Sequence, residues 1–248
     1  MALETNLADD EELDQLFDGR LKIIQKKEGY RFSIDAILLA HFAALIEAPS
    51  VIDLGTGSGI IPLVLARKTA AFSIVGVEVQ ERLARMAQRT IALNGLTDRI
   101  SILHNDLRKV QDYLKPSSFD LVVCNPPYYP VTEGRINPEI QKAIARHEIL
   151  ATLQDVTAAS HYLVKPEGVI TIIFPAKRII DFLHTLKQNG IIPKRLRVIY
   201  STYQSEGKLV IIEAVKGGSP ELVVEKPLYI YNQCGDYSEE MQTIYDEI

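Results

Sequence analysis

Asn125, Pro126, Pro127 and Tyr128 follow the apolar run Phe119-Asp120-Leu121-Val122-Val123 and Cys124. The run predicts a buried strand, and its end delivers a carboxamide, two backbone nitrogens that cannot donate and an aromatic ring. Proline fixes φ and removes the N–H, so the neighbouring carbonyls stay available to a ligand's own N–H groups. Asn125 adds a side-chain acceptor and Tyr128 a flat face. The set suits a planar amine presented as substrate. Asn before Pro also starts ordinary turns, so taken alone the four residues leave both readings open.

Upstream, Val51-Ile52-Asp53-Leu54 opens into Gly55-Thr56-Gly57-Ser58-Gly59, an apolar strand running into a glycine-rich turn and a helix. Glycines at 55, 57 and 59 let the backbone turn sharply and come close to a ligand. The spacing departs from the dinucleotide fingerprint, whose third glycine lies three positions after the second. Asp53 at the strand end would repel a pyrophosphate and attract a cationic amine or sulfonium. The next predicted strand, Phe72 to Glu78, ends in a carboxylate where ribose hydroxyls are commonly held. A third, Ile100 to His104, is followed by Asn105-Asp106, an acceptor for an adenine amino group. Each acid alone also fits a solvated strand end. The three in succession beside a glycine turn point to one ligand.

With these residues in place, the chain resembles the class I AdoMet-dependent methyltransferases. Asn125-Pro126-Pro127-Tyr128 matches the motif of the amino-methylating branch, which acts on adenine N6, guanine N2 or a protein glutamine. Phe32-Ser33-Ile34-Asp35-Ala36-Ile37-Leu38-Leu39-Ala40 and Ala145-Arg146-His147-Glu148 bring it closest to the bacterial tRNA1(Val) adenine-N6 methyltransferase family. The resemblance implies AdoMet as cofactor, held by Asp35, Asp53, Gly55, Gly57, Gly59, Glu78, Asp106 and Asn125. It implies tRNA as substrate, with catalysis at Asn125, Pro126, Pro127 and Tyr128. Arg146 and His147 become candidates for RNA contact. Asp35 would cover the methionine end of AdoMet, although an acid in a first helical turn is also explained by the helix dipole. In this reading Asn125 and the Pro126 carbonyl accept the two amine hydrogens, Tyr128 stacks on the base, and no strong general base is needed. The target base must be unpaired or flipped out to reach such a site.

Glutamine methylation is the nearest rival, but that branch usually carries a helical N-terminal domain larger than the stretch preceding Asp53 here. Guanine-N2 enzymes often replace Tyr128 by Phe or Leu. A catalytically silent RNA-binding module would have had less reason to keep both motifs intact, and an NAD oxidoreductase is disfavoured by the glycine spacing.

The elements that must position these residues alternate. Predicted strands at 50–55, 72–78, 100–104, 119–124 and 169–174 are separated by helices at 58–68 and 80–94, a short helical piece, and helices at 139–146, 152–164 and 177–189. Mainly apolar strands imply that both faces are covered, hence an α/β fold with a doubly wound, mostly parallel, seven-stranded sheet. Beyond Gly190 the helices stop, and Arg195–Tyr200 with Lys208–Val215 predict an antiparallel hairpin at the sheet edge, followed by a strand over Leu222–Tyr231. At the other end, Asp9 to Asp14 reads as an acidic, frayed or helical start. Leu21–Gln25 and Tyr30–Phe32 read as strands around a glycine turn, and Ser33 as the cap of a helix that includes Leu45. Residues 1–46 are thus expected to be an extension packed on a catalytic core of 47–248, in one methyltransferase domain.

The chain has 248 residues, a net charge of −5 and two cysteines. This size suits one sizeable core. Cys124 and Cys234 have neither disulfide nor metal spacing, so reduced thiols, no metal and a cytoplasmic location are expected. No stretch is long and apolar enough to span a bilayer. A negative total does not exclude RNA, because the basic residues can cluster. Lys194, Arg195 and Arg197 form one such run, with Arg195 and Arg197 as candidate phosphate contacts, and Lys22, Lys26, Lys27 and Arg31 another. Either run equally describes a solvated surface.

Overall fold

The computed structural model describes residues 7–28, 31–126 and 151–248. Pro127, Tyr128, Arg146 and His147, together with the helix expected at 139–146, lie outside the described residues.

The acidic start is a strand. β1 (Glu11–Leu16) pairs antiparallel with β2 (Leu21–Lys26), joined by a turn in which Phe17, Asp18 and Gly19 all have positive φ. Asp18-Gly19 is a strong hairpin signal, and the density of acids in β1 obscured it. The hairpin therefore uses the segment before Leu21, and Arg31 and Phe32 belong to no strand. β2 lies over a helix described below, with Ile24 packed on Leu83 and Met86. α1 (Ile34–Ala43) begins at Ser33, whose side chain makes no capping bond, and it ends before Leu45, which is exposed.

The core alternates as its apolar runs require: β3 (Ser50–Leu54), α2 (Ile60–Lys68), β4 (Ser73–Glu78), α3 (Glu81–Leu93), β5 (Ile100–His104), a 3₁₀ turn over Leu107–Asp112, and β6 (Phe119–Cys124). After the undescribed segment come α4 (Leu153–Leu163), β7 (Val164–Pro175), a 3₁₀ turn over Ala176–Arg178, α5 (Ile179–Gln188), β8 (Ile191–Tyr200) and β9 (Gly207–Lys216). Residues 165–168, between the expected helix and strand, form an irregularity inside β7. Its register against β6 jumps from Phe119–Val164 to Leu121–Val169, and Glu167 takes positive φ.

The main sheet is ordered β10-β8-β9-β7-β6-β3-β4-β5, with β10 (Val223–Val224) and β11 (Leu228–Tyr229) both parallel to β8. The predicted Leu222–Tyr231 strand is thus two short pieces that cover the hairpin's outer edge. A final helix, α6 (Glu239–Asp246), capped by the Ser238 side chain, was not anticipated. α1, α2 and α3 share one apolar cluster with Val51, Leu121, Val123 and Ile211. α4 and α5 share another with Ile52, Val122, Ile172 and Val210. Alternate strand residues feed the two clusters, as a sheet covered on both faces requires.

Two consequences of this topology position the site. The chain enters the sheet at β3, proceeds outward through β4 and β5, then returns to β6 on the other side of β3. Ligands of open α/β sheets bind beyond the strand ends at such a reversal. The strands also differ in height. Leu54 pairs with Cys124 and Cys124 with Ile172, but β7 continues to Pro175 opposite Leu209, which also faces Ile199 of β8. At ~3.3 Å per residue, β7, β9 and β8 rise roughly 10 Å above the ends of β3 and β6.

Candidate active site

Asp53 is the last residue but one of β3, fully buried. Neither of its carboxylate oxygens has a hydrogen-bond partner among the described residues, and the same holds for the buried Thr56 and Ser58 hydroxyls in the turn that follows. Burial pushes the Asp53 carboxyl up to about 7; the nearby Thr56 hydroxyl opposes the shift and the Glu78 charge adds to it. A buried acid without a partner is costly, and a cationic group arriving from the crevice would offset that cost.

The glycine turn is held from within. Gly55 N and Thr56 N both donate to Val77 O at 2.9 Å, and Gly59 N donates to Thr56 O at 3.0 Å. Gly57 N donates to Glu78 Oε2 at 2.9 Å. In a phosphate cradle such amides point at the anion; here those of Gly55, Thr56 and Gly57 are spent on β4 and that of Gly59 on the turn itself, which fits the departure from the dinucleotide spacing. Gly55 has φ +79°, and a Cβ there would meet no atom within 4 Å, so the backbone lies open to a ligand. Gly76, opposite Asp53 in β4, serves differently. A Cβ there would come within 2.7 Å of Ile102 and 2.9 Å of Thr56, so its absence seats the turn against β4.

Glu78 ends β4 almost completely buried. Its Oε1 accepts from Gln80 N and its Oε2 from Gly57 N, each at 2.9 Å. Burial raises its carboxyl above the ordinary range, and these backbone bonds oppose the rise. Each oxygen keeps acceptor capacity for a ligand hydroxyl. Asp106, beyond β5, is engaged differently. Its side chain caps the following 3₁₀ turn through Arg108 N at 2.9 Å and pairs with the Arg108 guanidinium at 2.6 Å. That hydrogen bonding holds its carboxyl below the usual range. As an adenine acceptor it would share its oxygens with Arg108. Asp35 lies in the first turn of α1.

On the other side of the reversal, β6 ends at Cys124, whose buried thiol donates to Leu54 O at 3.0 Å. This bond ties β6 to β3 where half-buried Asn125 and buried Pro126 leave the strand. Asn125 therefore emerges beside Asp53 and the glycine turn.

The arginines of the basic run at 194–197 are engaged by acids within the fold. Arg195 pairs with Glu213 at 2.9 Å and also with Glu225. Arg197 pairs with Glu240 at 2.8 Å, donates to Lys226 O at 2.8 Å and lies 5.1 Å from the Phe42 ring centroid. Arg195 is thus engaged by β9 and the segment that follows it, and Arg197 by that segment and α6, so a phosphate at either guanidinium would meet acids already in place. Arg31, in the other run, is likewise paired with Glu12 and Asp14. The acidic partners lie remote in sequence, so spacing within a run could not reveal them. The Thr56 and Ser58 hydroxyls were passed over, although their place between the glycines was a signal.

Residues 35–174 match the family model described as the methyltransferase small domain. The chain belongs to this family. The "tRNA1(Val) (adenine(37)-N6)-methyltransferase" of Bacteroides thetaiotaomicron is 30% identical over 70% of this chain and 77% of its own length. The protein of the same name from Phocaeicola vulgatus is 28% identical over 80% and 84%. Among solved structures, a predicted O-methyltransferase from Agrobacterium tumefaciens superposes with a TM-score of 0.69 at 18% identity, covering 86% of this chain and 96% of that one. A tRNA m1G37 methyltransferase from M. jannaschii gives 0.58 at 14% identity, covering 85% and 58%. The fold of this chain is that of the class I methyltransferases, whose cofactor is AdoMet. The residues present fit that cofactor: an orphaned buried acid for its ammonium group, an open glycine backbone, and a carboxylate with acceptor capacity for its ribose. Among the described residues no helix is long and apolar enough to cross a membrane.

Proposed function

We propose that the chain transfers a methyl group from AdoMet to the exocyclic N6 of an adenine in tRNA, as one methyltransferase domain that includes residues 1–46 and works in the cytoplasm. The observation that carries this reading is the emergence of Asn125 and Pro126 from β6 directly beside the orphaned Asp53 and the turn at Gly55, Gly57 and Gly59. The names of the relatives favour adenine over guanine or glutamine.

When bound, AdoMet supplies an electrophilic methyl group on a sulfonium. The chain's own residues must hold and orient. Asp53 attracts the ammonium group of the methionine moiety, directly or through water, and Glu78 accepts from ribose hydroxyls. Asp106 meets the adenine end of the cofactor by sharing its oxygens with Arg108. An exocyclic adenine nitrogen is a poor nucleophile because its lone pair is delocalised into the ring. The Asn125 carboxamide oxygen and the Pro126 carbonyl, each accepting one amine hydrogen, favour the pyramidal nitrogen that can attack. Fixed acceptors of this kind act without reorganisation at the moment of reaction. Pro127 stiffens the backbone that presents them, Tyr128 supplies a stacking face, and Arg146 and His147 stand as candidate RNA contacts; these four rest on the motif alone.

The test is methylation of unmodified tRNA with labelled AdoMet, followed by mass spectrometry of the nucleosides. N6-methyladenosine is the expected product. Methylguanosine, or label on protein only, would refute the reading.

A further inference from the structure

We propose that the raised ends of β7, β9 and β8 are the surface on which the RNA strand flanking the target base lies, with Lys177 and Lys208 meeting phosphates and Tyr203 stacking a neighbouring base. The inference rests on the tRNA reading above and adds to it the place where the substrate is gripped.

Three observations carry it. The first is position. β7 is the immediate neighbour of β6, from which Asn125 emerges, and β9 and β8 follow. At ~4.8 Å per strand, β9 stands roughly 10 Å from β6, within reach of a short stretch of extended RNA. These strands overtop the end of β6, so a base entering beside Asn125 has its adjoining backbone against this ledge.

The second is charge without counter-charge. Lys177 lies in the 3₁₀ turn that follows β7 and packs on β9, and Lys208 lies at the start of β9. Both are exposed. Neither makes an ion pair or a side-chain hydrogen bond among the described residues, in contrast to Arg195 and Arg197 lower on the neighbouring β8. Glu206 and Asp181 share the rim, so it suits a phosphate or two and not a broad polyanion.

The third is the ring. Tyr203 sits in the β8–β9 loop and is 53% exposed. Its hydroxyl accepts from the neighbouring Gln204 at 2.7 Å. An exposed aromatic interleaved with unpaired lysines is how single-stranded nucleic acid is tracked without sequence readout.

The experiment compares the full-length wild type with Lys177→Ala/Lys208→Ala and with Tyr203→Ala. It uses an unmodified tRNA transcript as the probe across a salt series, with AdoMet affinity measured in parallel. The double variant should flatten the slope of log K against log salt by about 1.4–1.8, two contacts at ~0.7–0.9 each. Tyr203→Ala should weaken tRNA binding by about five- to a hundredfold, with Tyr203→Phe close to wild type. AdoMet affinity should not change in any of them. A double variant with the wild-type slope, in a chain that still methylates tRNA, overturns this surface and leaves the function standing. A wild type that neither binds nor methylates the transcript overturns both.

Discussion

The two halves of the sheet, divided at β3 and β6, treat charge in opposite ways. In the half built from β3, β4 and β5, the acids at the ends of β3 and β4 are buried, while Asp106 beyond β5 is half-buried and paired with Arg108. Asp53 has no partner among the described residues, and Glu78 holds the glycine turn by its backbone. In the half built from β7, β9 and β8, arginines are placed together with their acids: Arg195 with Glu213 and Glu225, Arg197 with Glu240. An ion pair closed within the fold needs nothing from outside. An unpaired buried acid destabilises the chain that carries it, so its retention points to a ligand. The residue type alone does not separate these cases; the presence or absence of a counter-charge does.

The contrast can be broken or sharpened by substitution. The largest effect is expected at the boundary. Asn125→Ala should lower methyl transfer by about 10²-fold or more while leaving AdoMet affinity nearly intact; single-turnover rates near wild type would remove Asn125 from the chemistry. Next, Glu78→Ala should weaken AdoMet binding by roughly 10- to 100-fold through lost charge-assisted bonds, read by calorimetry. A folded variant with unchanged affinity would show that Glu78 serves only the turn.

Asp53 provides a pH signature. It is an acid whose folded-state value is raised to about 7, so below that pH the ligand-free fold carries it protonated and unable to attract a cation. AdoMet affinity should therefore fall as the pH drops below about 7, by up to about tenfold per unit. Asp53→Asn should flatten the profile, and a wild-type profile already flat through that range would mean that Asp53 does not meet the ammonium group. The smallest effect belongs to the paired half. Arg195→Ala should cost about 1–2 kcal/mol of stability, between the values for exposed and buried pairs, seen as a lower Tm. The salt slope of tRNA binding should not move; a flattened slope would return Arg195 to the RNA surface.

Much of this architecture was legible from the chain itself. Apolar runs separated by helical periodicity located β3 to β6 within a residue or two, because a strand buried on both faces has few other ways to be written. The glycine turn and the acids at 53, 78 and 106 were legible for a related reason: each combines a backbone requirement with a charge. What escaped depended on distant partners. β1 looked like a frayed acidic start because Glu11 and Asp10 find their arginines on α3, at Arg89 and Arg82. The ion pairs of Arg195 and Arg197 escaped because Glu213, Glu225 and Glu240 are far along the chain. The α6 helix is short and ordered by packing, with Met241 and Ile244 buried.

The internal hydrogen bonding of the glycine turn has a consequence in time. Because the amides of Gly55, Thr56, Gly57 and Gly59 are already satisfied within the chain, the loop is arranged before a ligand arrives. Their exchange with solvent deuterium should be slow in the ligand-free protein, paced by opening of β3 from β4 and not by cofactor departure. A binding loop that needs no ordering loses little entropy on association. Product can then leave without the loop having to melt, and the next cofactor meets the same shape.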